Sequence, residues 1–295
     1  MPLAVRPLHP LFAAEVTGID LRSLDAAGLD ALRAVLARYG VCAIPQDAPL
    51  TNEAHIAFSE RLGPIEKKPI LMMAGGKKLR IPYWEIIDQS NLDENGEIFR
   101  EDDRRLAFKR ANRLWHTDVS FHPVRATYSV FSCHVVPPGG ADTEFADMRA
   151  AYDALPDATK ARLDGLLAEH SYWHSRVLGG GPAPTAEEKA SRPPALHPLV
   201  HVHAPSGRKA LYLASHIARL VGMPEAEGRA LVRELADFAT QPRFVYRHQW
   251  QVGQVLIWDN LCTMHRATPF DDTRYPRDMR RTTCREGDVS QEAML

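Results

Sequence analysis

His116 and Asp118 stand two residues apart in LWHTDVSF. In an extended backbone such a pair points to one side of the chain, so an imidazole and a carboxylate can converge on one point. A second histidine, His265, comes much later in IWDNLCTMHRATPF, just past a strongly apolar strand. Two imidazoles and a carboxylate on one face of a metal make the facial triad of non-haem Fe(II) chemistry, with adjacent positions open for a chelating cosubstrate and O2. The same side chains would also suit a zinc hydrolase that keeps a water in the fourth position. His-x-Asp alone carries little weight in a chain with 13 histidines.

Arg277 and Arg281 follow His265 in PRDMRRTTC. Four residues apart in a strand-like stretch, they share a face with Met279 between them, and Arg280 turns to the other side. Two guanidinium groups on an inner wall are costly unless each meets an anion. Arginine is also the side chain that grips a carboxylate bidentately. A site for two organic anions accounts for the pair, while an edge strand with solvated arginines would show the same spacing.

These residues need a frame that gathers them. Asp25 reads as the cap of a helix carrying Leu29, Leu32, Val35 and Leu36 that stops at Gly40, and VCAIP as a buried strand after it. Thr51 caps a second helix through Ile56, Phe58 and Leu62 to Gly63. From Thr127 the pattern is β-rich. TYSVFSCHVV and ADTEFAD flank the turn PPGG, LVHVH and KALYLASH flank PSGR, and FVYRHQW, QVLIWD and DMRRTTC close the chain. Residues 147–155 and 158–168 read as a helical pair broken by Pro156, and 224–239 as another helix. Lys67, Lys68, Lys77, Lys78 and Arg80, and the mixed charges of 101–105, read as solvated loops. The Gly/Pro-rich stretch 179–198 reads as a long irregular segment. Many strands with grouped helices do not give the regular alternation of a doubly wound sheet. The expectation is a mainly β sandwich or barrel core with helical decoration.

Composition narrows the function further. The 295 residues carry 36 Lys plus Arg against 37 Asp plus Glu, a formal net charge of −1. A nucleic-acid binder that works by phosphate neutralisation would carry a basic excess. No apolar run approaches the ~20 residues of a membrane span, and the start has no signal-peptide pattern. Four widely spaced cysteines form no Cys-x-x-Cys pair; they read as buried free thiols in a reducing compartment, the cytoplasm.

The blocks around these residues resemble the Fe(II)/2-oxoglutarate-dependent dioxygenases of the taurine dioxygenase group, and within it the phenoxyalkanoate dioxygenases. They are PLHPLFAAEVTGIDLR, IAFSERLGPIE, His116-x-Asp118, TEFADMRAAYDALP, SGRKALYLASH, FVYRHQW, WDN with His265, and the two arginines. The similarity runs over nearly the whole chain. It implies a double-stranded β-helix (jelly-roll) core in one catalytic domain, 1–295. It implies Fe(II) held by His116, Asp118 and His265 as the catalytic centre, with 2-oxoglutarate and O2 as cosubstrates. Arg277 and Thr143 would bind the distal carboxylate of 2-oxoglutarate. Arg281 would face the anionic group of the primary substrate, and His216 would line its pocket.

The implied reaction hydroxylates a small anionic substrate while 2-oxoglutarate becomes succinate and CO2. With an aryloxyalkanoate such as 2,4-dichlorophenoxyacetate, hydroxylation beside the ether oxygen gives a hemiacetal that collapses to a phenol and a 2-oxo acid. Another carboxylate, a sulfonate or an alkyl sulfate would undergo the same chemistry. Residues 72–82 and 179–198 depart from the family pattern, and both bear on substrate identity rather than chemistry. Residues 175–198 are expected to form a lid or mobile loop and 286–295 a frayed tail. A homo-oligomer stays open. Against a zinc hydrolase stand the paired arginines and the Thr143 block, and a non-catalytic jelly-roll binding protein would not need the full triad.

Overall fold

A computed structural model describes residues 3–67, 79–101 and 103–287. Local rules place its early elements. β1 (Ala4–Pro7) and β2 (Ala14–Thr17) pair antiparallel. Asp25 accepts from the Gly28 amide and caps α1 (Ala26–Tyr39), which buries Leu29, Leu32 and Leu36. Gly40 stops the helix at φ 70, a backbone state that a Cβ would strain, and β3 (Val41–Pro45) follows. Thr51 caps α2 (Asn52–Glu60) in the same way. β4 (Ile87–Asp88), α3 (Arg104–Arg110) and a 3-10 turn over Ala111–Arg113 lead to β5 (Ala126–Val135) and β6 (Thr143–Asp147).

The next stretch carries α4 (Met148–Asp153), α5 (Asp157–Leu163), β7 (Leu167–His170), α6 (Tyr172–Leu178) and α7 (Ala186–Ser191). β8 (Ala195–Pro198) precedes the hairpin of β9 (Val200–His203) and β10 (Arg208–Leu211), then β11 (Ile217–Leu220) and α8 (Glu225–Ala239). The chain closes through β12 (Val245–His248), β13 (Gln254–Asp259), β14 (Thr263–Ala267) and β15 (Asp278–Arg285).

The protein is mainly sheet with helices around it. A seven-stranded sheet runs β1-β2-β3-β13-β5-β15-β4, and a three-stranded sheet runs β12-β6-β14. The two meet through aromatic side chains. Phe145 of β6 packs on Trp258 of β13 with ring centroids 5.5 Å apart, and Phe131 of β5 meets the same indole at 5.6 Å. Phe145 is fully buried, worth about 1.5–3 kcal/mol of transfer free energy. Pairing sets the rest: His265 lies opposite Phe145, and Arg281 opposite Phe131. The triad's second histidine and one arginine are thus fixed to the two walls of a single core.

Several elements differ from the sequence reading. The helix expected over 158–168 ends at Leu163, because Gly165 takes φ 72 and turns the chain into β7. The mixed charges of 101–105 are not all loop: the Asp103 carboxylate accepts from the Arg105 amide at 2.8 Å and starts α3. The Gly/Pro-rich stretch holds α7, closed by a Thr185–Glu188 capping box, and β8. His265, expected just past the apolar strand, stands on a strand of its own, β14. A turn at Asp259–Cys262 separates β13 from β14. Arg80 is no solvated loop residue; it pairs with both Asp88 and Asp278 at 2.8 Å. Lys68, Lys77 and Lys78, residues 72–78, and the tail from 288 lie outside the described residues. All four cysteines are free and buried.

Candidate metal centre

Backbone pairing assembles the triad. His116 lies outside any long strand, yet its N–H donates to the His265 carbonyl at 3.0 Å and its carbonyl accepts from the His265 N–H at 2.8 Å. Right after Asp118 the chain reverses, with Val119 at φ 55. A β-branched residue seldom takes this left-handed state, and such strain gathers where function fixes the backbone.

The three donors face one another. Asp118 Oδ1 lies 4.0 Å from His116 Nε2 and Asp118 Oδ2 lies 3.7 Å from His265 Nε2. One ligand atom from each residue falls within 4.8 Å of the others. Metal–ligand bonds of about 2.0–2.2 Å can span such gaps, which are too long for hydrogen bonds. His116 Nδ1 donates to the Leu114 carbonyl at 2.7 Å. A carbonyl only accepts, so the proton sits on Nδ1 and the Nε2 lone pair faces inward. Burial lowers the His116 pKa and holds His265 well below the usual imidazole range. Burial alone would raise Asp118; Arg281, His265 and His116 reverse it and keep the carboxyl well below its ordinary value. Neutral imidazoles beside an ionised carboxylate are the forms that ligate a metal.

Second contacts hold the carboxylate. Ser129 Oγ donates to Asp118 Oδ2 at 2.8 Å, and Arg281 Nη1 donates to Oδ1. Asn260 ties these together: its Oδ1 accepts from the Asp118 amide at 3.2 Å and from Trp258 Nε1 at 3.0 Å, while its Nδ2 donates to Ser129 Oγ at 3.0 Å.

Beside the triad lies a cavity of about 100 Å³ lined by His116, His265, Thr143, Trp258, Arg277 and Arg281, among others. Thr143 Oγ1 accepts from Trp250 Nε1 at 3.0 Å, which leaves its own proton to donate. Arg277 Nη1 donates to the Gln89 carbonyl at 3.0 Å, and no carboxylate pairs with it among the described residues. Burial pushes its guanidinium down to about 10. A half-buried cation that meets no carboxylate among the described residues suits an anionic ligand. The donor set and this cavity therefore fit a ferrous ion and a dicarboxylate.

The family model for the taurine catabolism dioxygenases, the TauD/TfdA family, matches residues 4–283. The chain belongs to that family. It is 42% identical over 285 residues to the alpha-ketoglutarate-dependent 2,4-dichlorophenoxyacetate dioxygenase of Cupriavidus pinatubonensis, covering 96% of this chain and 98% of the relative. It is 38% identical over 278 residues to the (S)-phenoxypropionate/alpha-ketoglutarate-dioxygenase of Sphingobium herbicidovorans, covering 92% and 91%. The crystal structure of AAD-2 with Mn(II) and N-oxalylglycine superposes with a TM-score of 0.87 at 40% identity, covering 99% of this chain and 100% of that one. The protein is a dioxygenase that depends on Fe(II) and 2-oxoglutarate and consumes O2.

In this TauD/TfdA chain the structure brings together His116, Asp118, His265, Thr143, Arg277 and Arg281. His216 lies behind His116, edge-on at 6.2 Å between ring centroids, with Nδ1 2.9 Å from Ser120 Oγ. Phe121 stacks edge-on against His216 at 5.1 Å, and Tyr172 against Phe121 at 5.1 Å. His203 has a carboxylate partner of its own: its Nε2 is 2.9 Å from Asp259 Oδ2. Trp258 is core, and Trp115 packs at the core edge under Arg266. Neither Asn260 nor Ser129 carries a signal in the sequence that marks it as a partner of Asp118. An Asn beside Asp259 carries no mark of its reach to residues 118 and 129.

Proposed function

We propose that His116, Asp118 and His265 hold the ferrous ion, that Arg277 and Thr143 anchor the distal carboxylate of 2-oxoglutarate, and that Arg281 receives the carboxylate of an aryloxyalkanoate. The observation that carries the reading is the convergence of two imidazoles and a carboxylate beside a half-buried guanidinium that meets no carboxylate among the described residues.

Each side chain has a defined task. The His116 tautomer, set by the Leu114 carbonyl, keeps a lone pair on the metal side. Ser129 and Asn260 hold Asp118 in place. Arg277 and Thr143 orient the dicarboxylate so that its other end reaches the triad. Arg281 donates one N–H to Asp118 and keeps a buried Nε without an acceptor among the described residues, which supports an incoming anion. The iron, with 2-oxoglutarate and O2, supplies the oxidation that hydroxylates a C–H bond as succinate and CO2 leave.

Substrate identity rests on chemistry and on relatives that act on 2,4-dichlorophenoxyacetate and (S)-phenoxypropionate. His216, its ring 6.2 Å from that of His116, is the residue this reading assigns to the aryl ring's side of the site. Hydroxylation beside the ether oxygen then releases a phenol and a 2-oxo acid. Other relatives are an alkylsulfatase and a sulfate ester dioxygenase, at 30% and 29% identity, so an alkyl sulfate is the second reading. A panel of aryloxyacetates, aryloxypropionates and alkyl sulfates, assayed with Fe(II), ascorbate and 2-oxoglutarate, tests this. Phenol in step with succinate is expected from the aryloxy acids; succinate alone would show that the substrate is wrong.

The same reading makes the two facing sheets the layers of a double-stranded β-helix within a single catalytic domain. It makes 175–198 the lid, docked by Arg192 over the Tyr172 ring at 4.5 Å. Four free buried thiols support a reducing cytoplasm. No helix among the described residues is long and apolar enough to cross a membrane.

A further inference from the structure

We propose that Lys109 is a second cationic contact for the distal carboxylate of 2-oxoglutarate, standing beside Arg277 in the same cavity. The inference rests on the reading of Arg277 as the cosubstrate's anchor.

Five cationic side chains line this cavity: Lys109, Arg110, Arg113, Arg277 and Arg281. Three of them already donate to a carboxylate of the chain. Arg110 and Arg113 both donate to the Asp272 carboxylate, and Arg281 donates to Asp118. Lys109 and Arg277 are held differently. Lys109 Nζ donates to the Asp88 carbonyl at 2.9 Å, and Arg277 Nη1 donates to the Gln89 carbonyl at 3.0 Å. Two consecutive backbone carbonyls therefore present two cations to one cavity. A carbonyl satisfies a hydrogen-bond donor but does not neutralise a charge. The nearby Asp88 carboxylate gives both its oxygens to Arg80 at 2.8 Å.

The groups facing Lys109 sharpen the point. Asp88 at the end of β4 attracts its charge. Arg80, Arg277 and Arg105 of its own helix repel it. The Phe99 ring lies 5.7 Å away. Burial dominates, and the amine is pushed down to about 8. An incoming carboxylate reverses this balance, because it favours the charged form of both neighbours. Binding of the dicarboxylate near pH 8 then draws a proton onto Lys109, and affinity falls as pH rises through that value.

The test is isothermal titration of 2-oxoglutarate into the Mn(II)-loaded protein, which binds without turnover. Two buffers of different ionisation enthalpy give the proton count. At pH 8 the wild type should take up about half a proton through a lysine that is half charged there. Lys109→Met should bind at least about tenfold more weakly at pH 7 and lose that uptake. Lys109→Arg should keep most of the affinity and also lose the uptake, since a guanidinium does not titrate in this range. If Lys109→Met fails to fold, Lys109→Arg decides the matter, because unchanged proton uptake in that variant overturns the proposal. Wild-type affinity in Lys109→Met, with loss of binding in Arg277→Met, would also overturn it and leave the cosubstrate reading intact. Undiminished binding in Arg277→Met would instead overturn the reading on which it rests.

Discussion

Two buried clusters in this chain use nearly the same side chains and stand in opposite states. His116, Asp118 and His265 form one; His203, Asp259 and Cys262 form the other. In the second, every donor is spent. His203 Nε2 meets Asp259 Oδ2 at 2.9 Å and its Nδ1 meets Ser206 Oγ at 2.7 Å. Asp259 Oδ1 accepts from the Leu261 amide at 2.8 Å, and burial holds the Cys262 thiol well above its usual pKa, protonated and a poor ligand. In the first, the histidine–carboxylate gaps stay too long for hydrogen bonds. Proximity of ligand-type residues thus does not make a metal site; on the proposed reading, imidazole nitrogens left open toward a shared carboxylate do. The spent cluster fastens the turn that launches β14, and so serves the open one from behind.

The sharpest way to break this comparison is to remove one histidine from each cluster. His265→Ala should abolish turnover and leave no stoichiometric Fe(II), read by metal analysis after anaerobic loading. His203→Ala should keep one metal per chain but lose about 1–3 kcal/mol of stability, since Asp259 loses a buried partner; denaturant melts read this. Metal retained by the first variant and lost by the second would invert the assignment.

Next in size are the arginines. Arg277→Met should raise the KM for 2-oxoglutarate by roughly a hundredfold, the value of a charge-assisted contact to a buried anion. Arg281→Met should act mainly on the KM of the primary substrate. The opposite pattern would exchange their roles. Smaller again is Asn260→Ala, since Asn260 meets none of the proposed ligand atoms. It frees Asp118 and Ser129 from a shared partner, and an outer contact of this kind is worth about 10–100-fold in metal affinity. Excess Fe(II) should restore its turnover, whereas His265→Ala should not respond.

The triad and the arginines were legible because their chemistry needs particular residue types, and those types stand out at any distance along the chain. Caps were legible for a related reason: Asp25 and Thr51 act within three residues of themselves. Partners that meet only in the folded chain were not. Arg80 reads as a loop cation until β15 brings Asp278 beside it. Lys109 sits in a charged helix that offers no hint of the cavity it lines. β14 was hidden because TMHRA is short and mixed in polarity, and only its pairing with β6 in the folded chain makes it a strand.

The smallest effect should come from Asp272, whose carboxylate takes Arg110 at 2.9 Å and Arg113 at 3.0 Å at the rim of the cavity. It is as paired as Asp118, yet its arginines remain partly open to water, with side-chain exposures of 41% and 34%. Screening limits each such pair to about 0.2–1 kcal/mol. Asp272→Asn should therefore lower the melting temperature by only a few degrees, keep the metal, and raise the KM for 2-oxoglutarate no more than severalfold. Melts with and without 0.5 M salt check the cause. If screening limits the pair, added salt should narrow the gap between wild type and Asp272→Asn. A gap that persists in salt would show instead that the rim pair is as shielded as the carboxylate at the centre.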